Sequence, residues 1–260
     1  MENKPMQDKV ALVTGGAGGI GKAISLHLAN SGVTVIIFGR NQERGKQAVE
    51  DISKKDGEAA FYRTDLISRE QIEQSFKQVM DQHGHVDILV NNAAISGFMG
   101  AVKDTPMQEV EDVLKVNLIS IFHLSKLVIP KMIENGFGRI INISSVAPRV
   151  SPANSATYNM SKAGVNALTR TLSREVAAHG ITVNAIAPGL VLTERIVSSR
   201  LPGMAEKSGI TPEEMLQRLT ESADTRQLTR EEDIAELVMF LASRASQNIT
   251  GEIVNIAGGF

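Results

Sequence analysis

The chain predicts a doubly wound α/β fold, a seven-stranded parallel sheet with helices on both faces. Three observations carry that prediction. Short apolar runs such as VALV at 10–13 and TVIIF at 34–38 recur along the chain, separated by amphipathic helical stretches. The runs show little polar–apolar alternation, as strands buried on both faces do. The polar and glycine residues Gly15, Asp65, Asn91, Ser145 and the Pro188-Gly189 pair follow the strands directly. Open parallel sheets bind ligands at those carboxyl ends.

The elements follow in order. Val10 to Val13 is the first strand, and a glycine turn follows it. A helix runs from about Gly19 to Ser31, with Ile20, Ile24, Leu26 and Leu28 inward and Gly32 ending it. Thr34 to Phe38 is the second strand, and it leads into Gly39-Arg40-Asn41. Ala59 to Arg63 is the third, ended by Asp65, and Ser68 caps a helix reaching about His83. Val86 to Val90 is the fourth and feeds Asn91. Thr105-Pro106 opens a long helical region reaching Glu134, with a bend expected at Pro130. Arg139 to Ile143 is the fifth strand, feeding Ser144 and Ser145. The next helix carries Ala156, Ala163, Ala167, Leu168 and Leu172 at helical spacing and stops at Gly180. Thr182 to Ile186 is the sixth strand. From Gly189 to Thr229 the alternation breaks down. There Thr211-Pro212-Glu213-Glu214 spells a capped helix start, with Met215, Leu216 and Leu219 as its apolar face. That stretch, about 190–229, reads as a lid on a single domain spanning 1–260. Glu231 to Ser243 is the last helix and Glu252 to Ile256 the seventh strand.

Composition narrows the function classes. There are 29 acidic and 27 basic residues, so no charge excess points to nucleic acid or a membrane surface. The chain has no cysteine, which excludes disulfides and thiolate chemistry. The polar start MENKPMQDK lacks the apolar core of a signal peptide, and no apolar run is expected to approach the ~18 residues of a membrane span. A soluble, cytoplasmic protein is the expectation. His83 and His85 flank a glycine before a strand, and nothing near them completes a metal shell.

Two motifs carry chemistry. Gly16-x-Gly18-x-x-Gly21 sits between a predicted strand and helix. Glycines there let backbone N–H groups approach a pyrophosphate at a helix N-terminus. Tyr158 and Lys162 stand four residues apart on one helix, so they share a face. An ammonium beside a phenol favours the phenolate, which would lower the Tyr158 pKa toward neutrality. Ser145 precedes Tyr158 by thirteen residues.

These motifs combine with Thr14, Gly15-x-x-x-Gly19-x-Gly21, Asn91-Asn92-Ala93-Ala94, Asn117 and Pro188-Gly189, in that order. The chain thereby resembles the short-chain dehydrogenase/reductase family in its compact single-domain form, from about Lys9 to Gly259. Ala94 stands where the family's motif ends in glycine, and Pro148 stands where a glycine is common. The resemblance implies a Rossmann-type fold and hydride transfer between a nicotinamide cofactor and a carbonyl or secondary alcohol. It implies Asn117, Ser145, Tyr158 and Lys162 as catalytic residues, with Asn117 interrupting its helix and anchoring a water. It implies cofactor contacts from Gly15, Gly18, Gly19, Ile20, Gly21, Arg40, Asn41, Asp65, Leu66, Asn91, Ala93, Tyr158, Lys162, Pro188, Gly189, Val191 and Thr193. Asp65 would meet the adenine amino group and Thr193 the nicotinamide amide. It also implies a homotetramer built on the helices around Asn117 and Tyr158 and on the C-terminal strand.

Arg40, standing where NAD-binding sheets place an acid, points to NADP in preference to NAD. Phe98 and Met99 are expected to wall the substrate pocket with Val146 and Pro148. Such a pocket suits a medium-sized, mainly uncharged ketone or alcohol. Arg195 and Arg200 keep an acidic or carrier-bound acyl substrate open, so a 3-oxoacyl-[acyl-carrier-protein] reductase is the alternative. A non-catalytic protein and an isomerase or dehydratase on the same fold are further alternatives.

Overall fold

The computed structural model describes residues 6–194 and 196–259. Seven strands, β1 (Val10–Thr14), β2 (Thr34–Gly39), β3 (Ala59–Arg63), β4 (Ile88–Asn91), β5 (Gly138–Ile143), β6 (Ile181–Pro188) and β7 (Ile253–Ile256), form one sheet. Their order is β3-β2-β1-β4-β5-β6-β7 and every pairing is parallel. The order reverses between β1 and β4, which opens a crevice at their carboxyl ends.

Parallel strands need crossover segments, and helices supply them on both faces. One face packs α1 (Gly19–Asn30), α2 (Gln42–Ser53) and, from near the C-terminus, Glu231–Ala242 against Val13, Val35, Ile37 and Val90. The other packs α3 (Arg69–His83) and two later helices against Leu12, Ile36, Phe38 and Leu89. Alternate residues of each strand thus enter opposite cores, which is why the strands read as unbroken apolar runs. Each fully buried Leu, Ile or Phe stabilises this arrangement by roughly 1.5–3 kcal/mol.

The helix expected over 105–134 is divided. After α4 (Met107–Leu114) comes one π-turn, Lys115–Ile119, and then α5 (Ser120–Asn135). The interruption falls at Asn117, while Pro130 lies within α5. The Met107–Asn135 stretch has a mean hydropathy of 1.5 over an 18-residue window. By length and composition alone it is apolar enough to cross a bilayer, which corrects the expectation that no such run exists. In the fold its inner side is core: Leu124, Val128 and Met132 are fully buried against the sheet.

The remaining helices are α6 (Ala147–Val150), α7 (Ala156–Val176), α8 (Leu201–Ser208), α9 (Pro212–Ser222) and α10 (Glu231–Ala242). The segment expected to be a lid gathers its own small core, in which Leu201, Ala205 and Met215 are buried. Thr211 caps α9 as the sequence predicts: its hydroxyl accepts from Glu214 N–H at 3.1 Å, and the Glu214 carboxylate accepts from Thr211 N–H at 2.8 Å.

Candidate active site

The glycine turn links β1 to α1. Gly15 and Gly19 adopt left-handed conformations, with φ of +66° and +55°. A side chain at Gly21 would overlap the Gly15 carbonyl, so the first turn of α1 lies directly against the loop. Gly18 is open, and the nearest atom to a Cβ there would be Nη1 of Arg44, 4.0 Å away. The Thr14 hydroxyl accepts from Asn92 N–H (3.0 Å) and Ala93 N–H (3.1 Å). The Asn92 amide donates to the Thr14 carbonyl at 2.9 Å. These bonds tie the turn to the segment after β4.

A slot of about 130 Å³ opens beside this turn, lined by Gly15, Phe38, Arg40, Asp65, Leu66 and Ala93, among others. Arg40 is exposed and has no ion-pair partner among the described residues. Asp65 also acts as a turn former, its carboxylate accepting from Ile67 N–H at 3.0 Å. Asn41 caps α2 through its side-chain oxygen, which accepts from Arg44 N–H at 2.9 Å, and it does not line the slot. Asn91 also stays out of the slot. It is buried, donates to Asn142 Oδ1 at 2.9 Å, and its own oxygen has no partner among the described residues. The Asn41 side chain thus holds a helix, and the Asn91 side chain lies among buried polar groups outside the slot.

A second cleft, of about 230 Å³, holds three of the four residues expected to be catalytic. Ser145, Tyr158 and Lys162 line it with Ile20, Pro188, Gly189, Val191, Thr193 and Arg200. It meets the slot at Ala94 and Ile95, which line both. The Ser145 hydroxyl accepts from Ala147 N–H at 3.1 Å. Lys162 is buried and donates to the Ile143 carbonyl at 2.6 Å, its nitrogen 5.8 Å from the centre of the Tyr158 ring. Burial pulls the Lys162 pKa from 10.5 down to about 8. Burial pushes the Tyr158 phenol up, with the Ser145 hydroxyl and the Arg200 charge opposing. The expected lowering of Tyr158 by Lys162 is therefore absent here, because the ammonium is committed to the end of β5 and desolvation of the phenol dominates.

Asn117 is fully buried. Its oxygen accepts from Ile95 N–H (2.9 Å), and its amide donates to the Ile95 carbonyl (2.9 Å) and to Ser161 Oγ (3.1 Å). It therefore clamps the π-turn to the segment after β4 and to α7. The Thr193 hydroxyl accepts from Ile196 N–H at 3.2 Å and orders the start of the lid. Phe98, Met99, Val146 and Pro148 do not line the cleft. Its apolar wall comes instead from Ile95, Ile143, Leu190 and Ile196. Arg195 lies outside the described residues.

Three features had no sequence signal. Arg44 reaches the glycine turn from the next helix. A buried ladder runs from Asn91 to Asn142 to the Thr169 hydroxyl (2.9 Å each) and fixes α7 to the sheet. Ser144 donates to Asn166 at 2.6 Å and adds a second tie. Two roomier hollows, about 440 and 350 Å³, open at the amino ends of β6 and β7, away from these groups. Arg139, beside one of them, is held by the carbonyls of Gly138, Gly180 and Ser243.

The open glycine cradle at the α1 N-terminus, the slot and the cleft that joins it fit an extended dinucleotide. Comparison with known proteins agrees. The family model for short chain dehydrogenases matches residues 9–201. A 3-oxoacyl-[acyl-carrier-protein] reductase of Aquifex aeolicus is 36% identical over 98% of this chain and 98% of its own. A 7alpha-hydroxysteroid dehydrogenase of Escherichia coli is 34% identical over 99% of this chain and 96% of its own. Among solved structures, NAD+-bound xylitol dehydrogenase superposes with a TM-score of 0.88 at 33% identity, covering 97% of this chain and 99% of its own. An actinorhodin polyketide ketoreductase variant with NADPH gives 0.91 at 32%, covering 96% of each chain.

Proposed function

The chain belongs to the short-chain dehydrogenase/reductase family, and from that premise we propose how its residues divide the work and which cofactor it takes. It is an oxidoreductase acting on carbonyl and secondary alcohol groups with a nicotinamide cofactor. A bound nicotinamide supplies hydride to the carbonyl carbon or takes it back. Tyr158 gives the matching proton to the oxygen, so ketone, hydride and proton together make the alcohol. Ser145 donates a hydrogen bond to the same oxygen and holds it in line. Gly15, Gly18, Gly19 and Gly21 take the diphosphate, Asp65 and Leu66 the adenine end, and Pro188, Gly189, Val191 and Thr193 the nicotinamide end. Lys162 bonds the Ile143 carbonyl through one of its three N–H donors, and another would hold the nicotinamide ribose. Asn117 is a positioning residue. Its side chain is spent on Ile95 and Ser161, so any water at this turn is held by main chain, and π-turns commonly mark such sites. The observation that carries the reading is one cleft lined by Ser145, Tyr158 and Lys162 and continuous with the glycine cradle.

The cofactor reading is NADP. Arg40 lines the adenosine slot, and Arg44 stands by Gly18. Two guanidinium groups there match a 2′-phosphate through charge-assisted hydrogen bonds. The assembly reading is a homotetramer. Ile119, Phe122 and Met160 are roughly half exposed on α5, its π-turn and α7, an apolar face suited to a second copy. Gly164 is already committed within the chain, since a Cβ there would meet Leu118 at 2.7 Å. The enzyme is read as cytoplasmic. A 3-oxoacyl-[acyl-carrier-protein] reductase remains the second reading, supported by the relative from Aquifex aeolicus. A carbonyl and alcohol panel run with NADPH and NADH tests the proposal. Turnover faster with NADPH is expected, and no turnover with either cofactor would overturn the enzymatic reading.

A further inference from the structure

Among the described residues that line the 230 Å³ cleft, two side chains are charged, Lys162 and Arg200, and none is a carboxylate. Lys162 is committed to the Ile143 carbonyl. Arg200 is not committed: it has no hydrogen bond or ion pair with any described residue. That isolation is notable in a segment rich in acids, since Glu206, Glu213, Glu214 and Glu221 all lie in the lid helices. Other lid polar groups find partners, such as Thr211 with Glu214 and Gln217 with Glu221. Arg200 closes the π-turn Ile196–Arg200, where the lid leaves the cleft and α8 begins. Its charge is felt at the Tyr158 phenol, so guanidinium and proton donor face a common volume. Arg200 is exposed, so its guanidinium is open to a ligand entering the cleft that it lines.

Resting on the oxidoreductase reading, we propose that Arg200 is the specificity-determining residue for a substrate with a carboxylate near its reacting carbon. The substrate is a small oxo acid in reduction and the matching hydroxy acid in oxidation. The planar guanidinium takes the carboxylate through paired hydrogen bonds. This anchors the carbonyl oxygen toward Ser145 and Tyr158, while Ile95, Leu190 and Ile196 enclose the short carbon chain. A carrier-bound acyl thioester has no such carboxylate, because its nearest anionic group is the distant carrier phosphate.

The test compares oxo acids of increasing chain length with their primary amides and with a pantetheine 3-oxoacyl thioester. All are measured with the wild type, Arg200→Gln and Arg200→Lys at saturating cofactor. The wild type is expected to favour the acid over its amide by roughly 100-fold in kcat/KM, as for a charge-assisted pair. Arg200→Gln should collapse that ratio to within about threefold, mainly through KM, and Arg200→Lys should restore part of it. A wild-type ratio near one, a ratio kept in Arg200→Gln, or a thioester reduced better than every acid overturns the proposal. If neutral ketones turn over and no acid does, this inference falls alone. If nothing turns over with either cofactor, the oxidoreductase reading falls with it.

Discussion

Replacing Lys162 by Met should abolish turnover and yet make the protein more stable at neutral pH. The ammonium is fully buried, its pKa held at about 8 against the ordinary 10.5 by desolvation. At about 1.4 kcal/mol per pH unit, keeping that charge inside the fold costs roughly 3 kcal/mol at pH 7. Met has a similar length and carries no charge. Its cost is the lost hydrogen bond to the Ile143 carbonyl, 2.6 Å in the wild type, worth about 1–2 kcal/mol. The net gain is roughly 1–2 kcal/mol, or about 2–4 °C in Tm for a chain of this size. The sign of the pH dependence follows from the same shift. Between about 8 and 10.5 the unfolded wild type keeps its proton while the folded protein has released it, so this group makes wild-type stability rise with pH across that window. Lys162→Met lacks the effect, and its advantage should shrink as pH rises above 8. Urea unfolding at pH 7 and at pH 9.5 reads both quantities. A variant less stable than wild type at pH 7, or an advantage unchanged at pH 9.5, would refute the reasoning.

Further outcomes follow from the same geometry. Arg40→Asp should shift cofactor preference toward NADH by about 10–100-fold, the range of one charge-assisted contact; equal efficiency of the wild type with both cofactors would remove the basis for the NADP reading. Because burial raises the Tyr158 phenol, alcohol oxidation, which needs the phenolate, should still be climbing at pH 9 while ketone reduction holds steady; a flat oxidation profile from pH 7 upward would contradict this. Gly21→Ala should weaken cofactor binding at least tenfold, since its Cβ would overlap the Gly15 carbonyl, and unchanged binding by calorimetry would disprove that packing argument. Residues 190–225 should gain hydrogen-exchange protection when cofactor is added, and equal protection in both states would rule out a closing lid. Light scattering at micromolar concentration should give a tetramer mass, and a monomer would end the assembly reading.

The sheet was legible because its strands are buried on both faces. Runs such as Ala59–Arg63 were placed to the residue, and others within about two. Helix α2 gave no usable signal: its buried positions are Gly45, Ala48 and Ile52, too small and sparse for a clear apolar stripe. The break at Asn117 was legible only by family likeness, since its cause is long-range, a side chain bonded to Ile95 and Ser161. The catalytic spacing on α7 was readable, but the electrostatics were not. Spacing places Lys162 near Tyr158, whereas which group wins the ammonium depends on where β5 ends. Arg44 was invisible as a site residue for a similar reason: it reaches the glycine turn from an element whose packing no local pattern reveals. The pocket wall failed likewise, because Phe98 and Met99 read as enclosing residues but stand exposed outside the cleft.

The central claim is that Tyr158 passes the proton while hydride moves. Tyr158→Phe deletes one oxygen from a half-buried ring and leaves its packing in place. Turnover of a carbonyl substrate found in the panel should be followed in wild type and variant, with melting curves as the check on folding. The account predicts a fall in kcat of about 10²–10⁴-fold with the fold intact; turnover within a few-fold of wild type would contradict it.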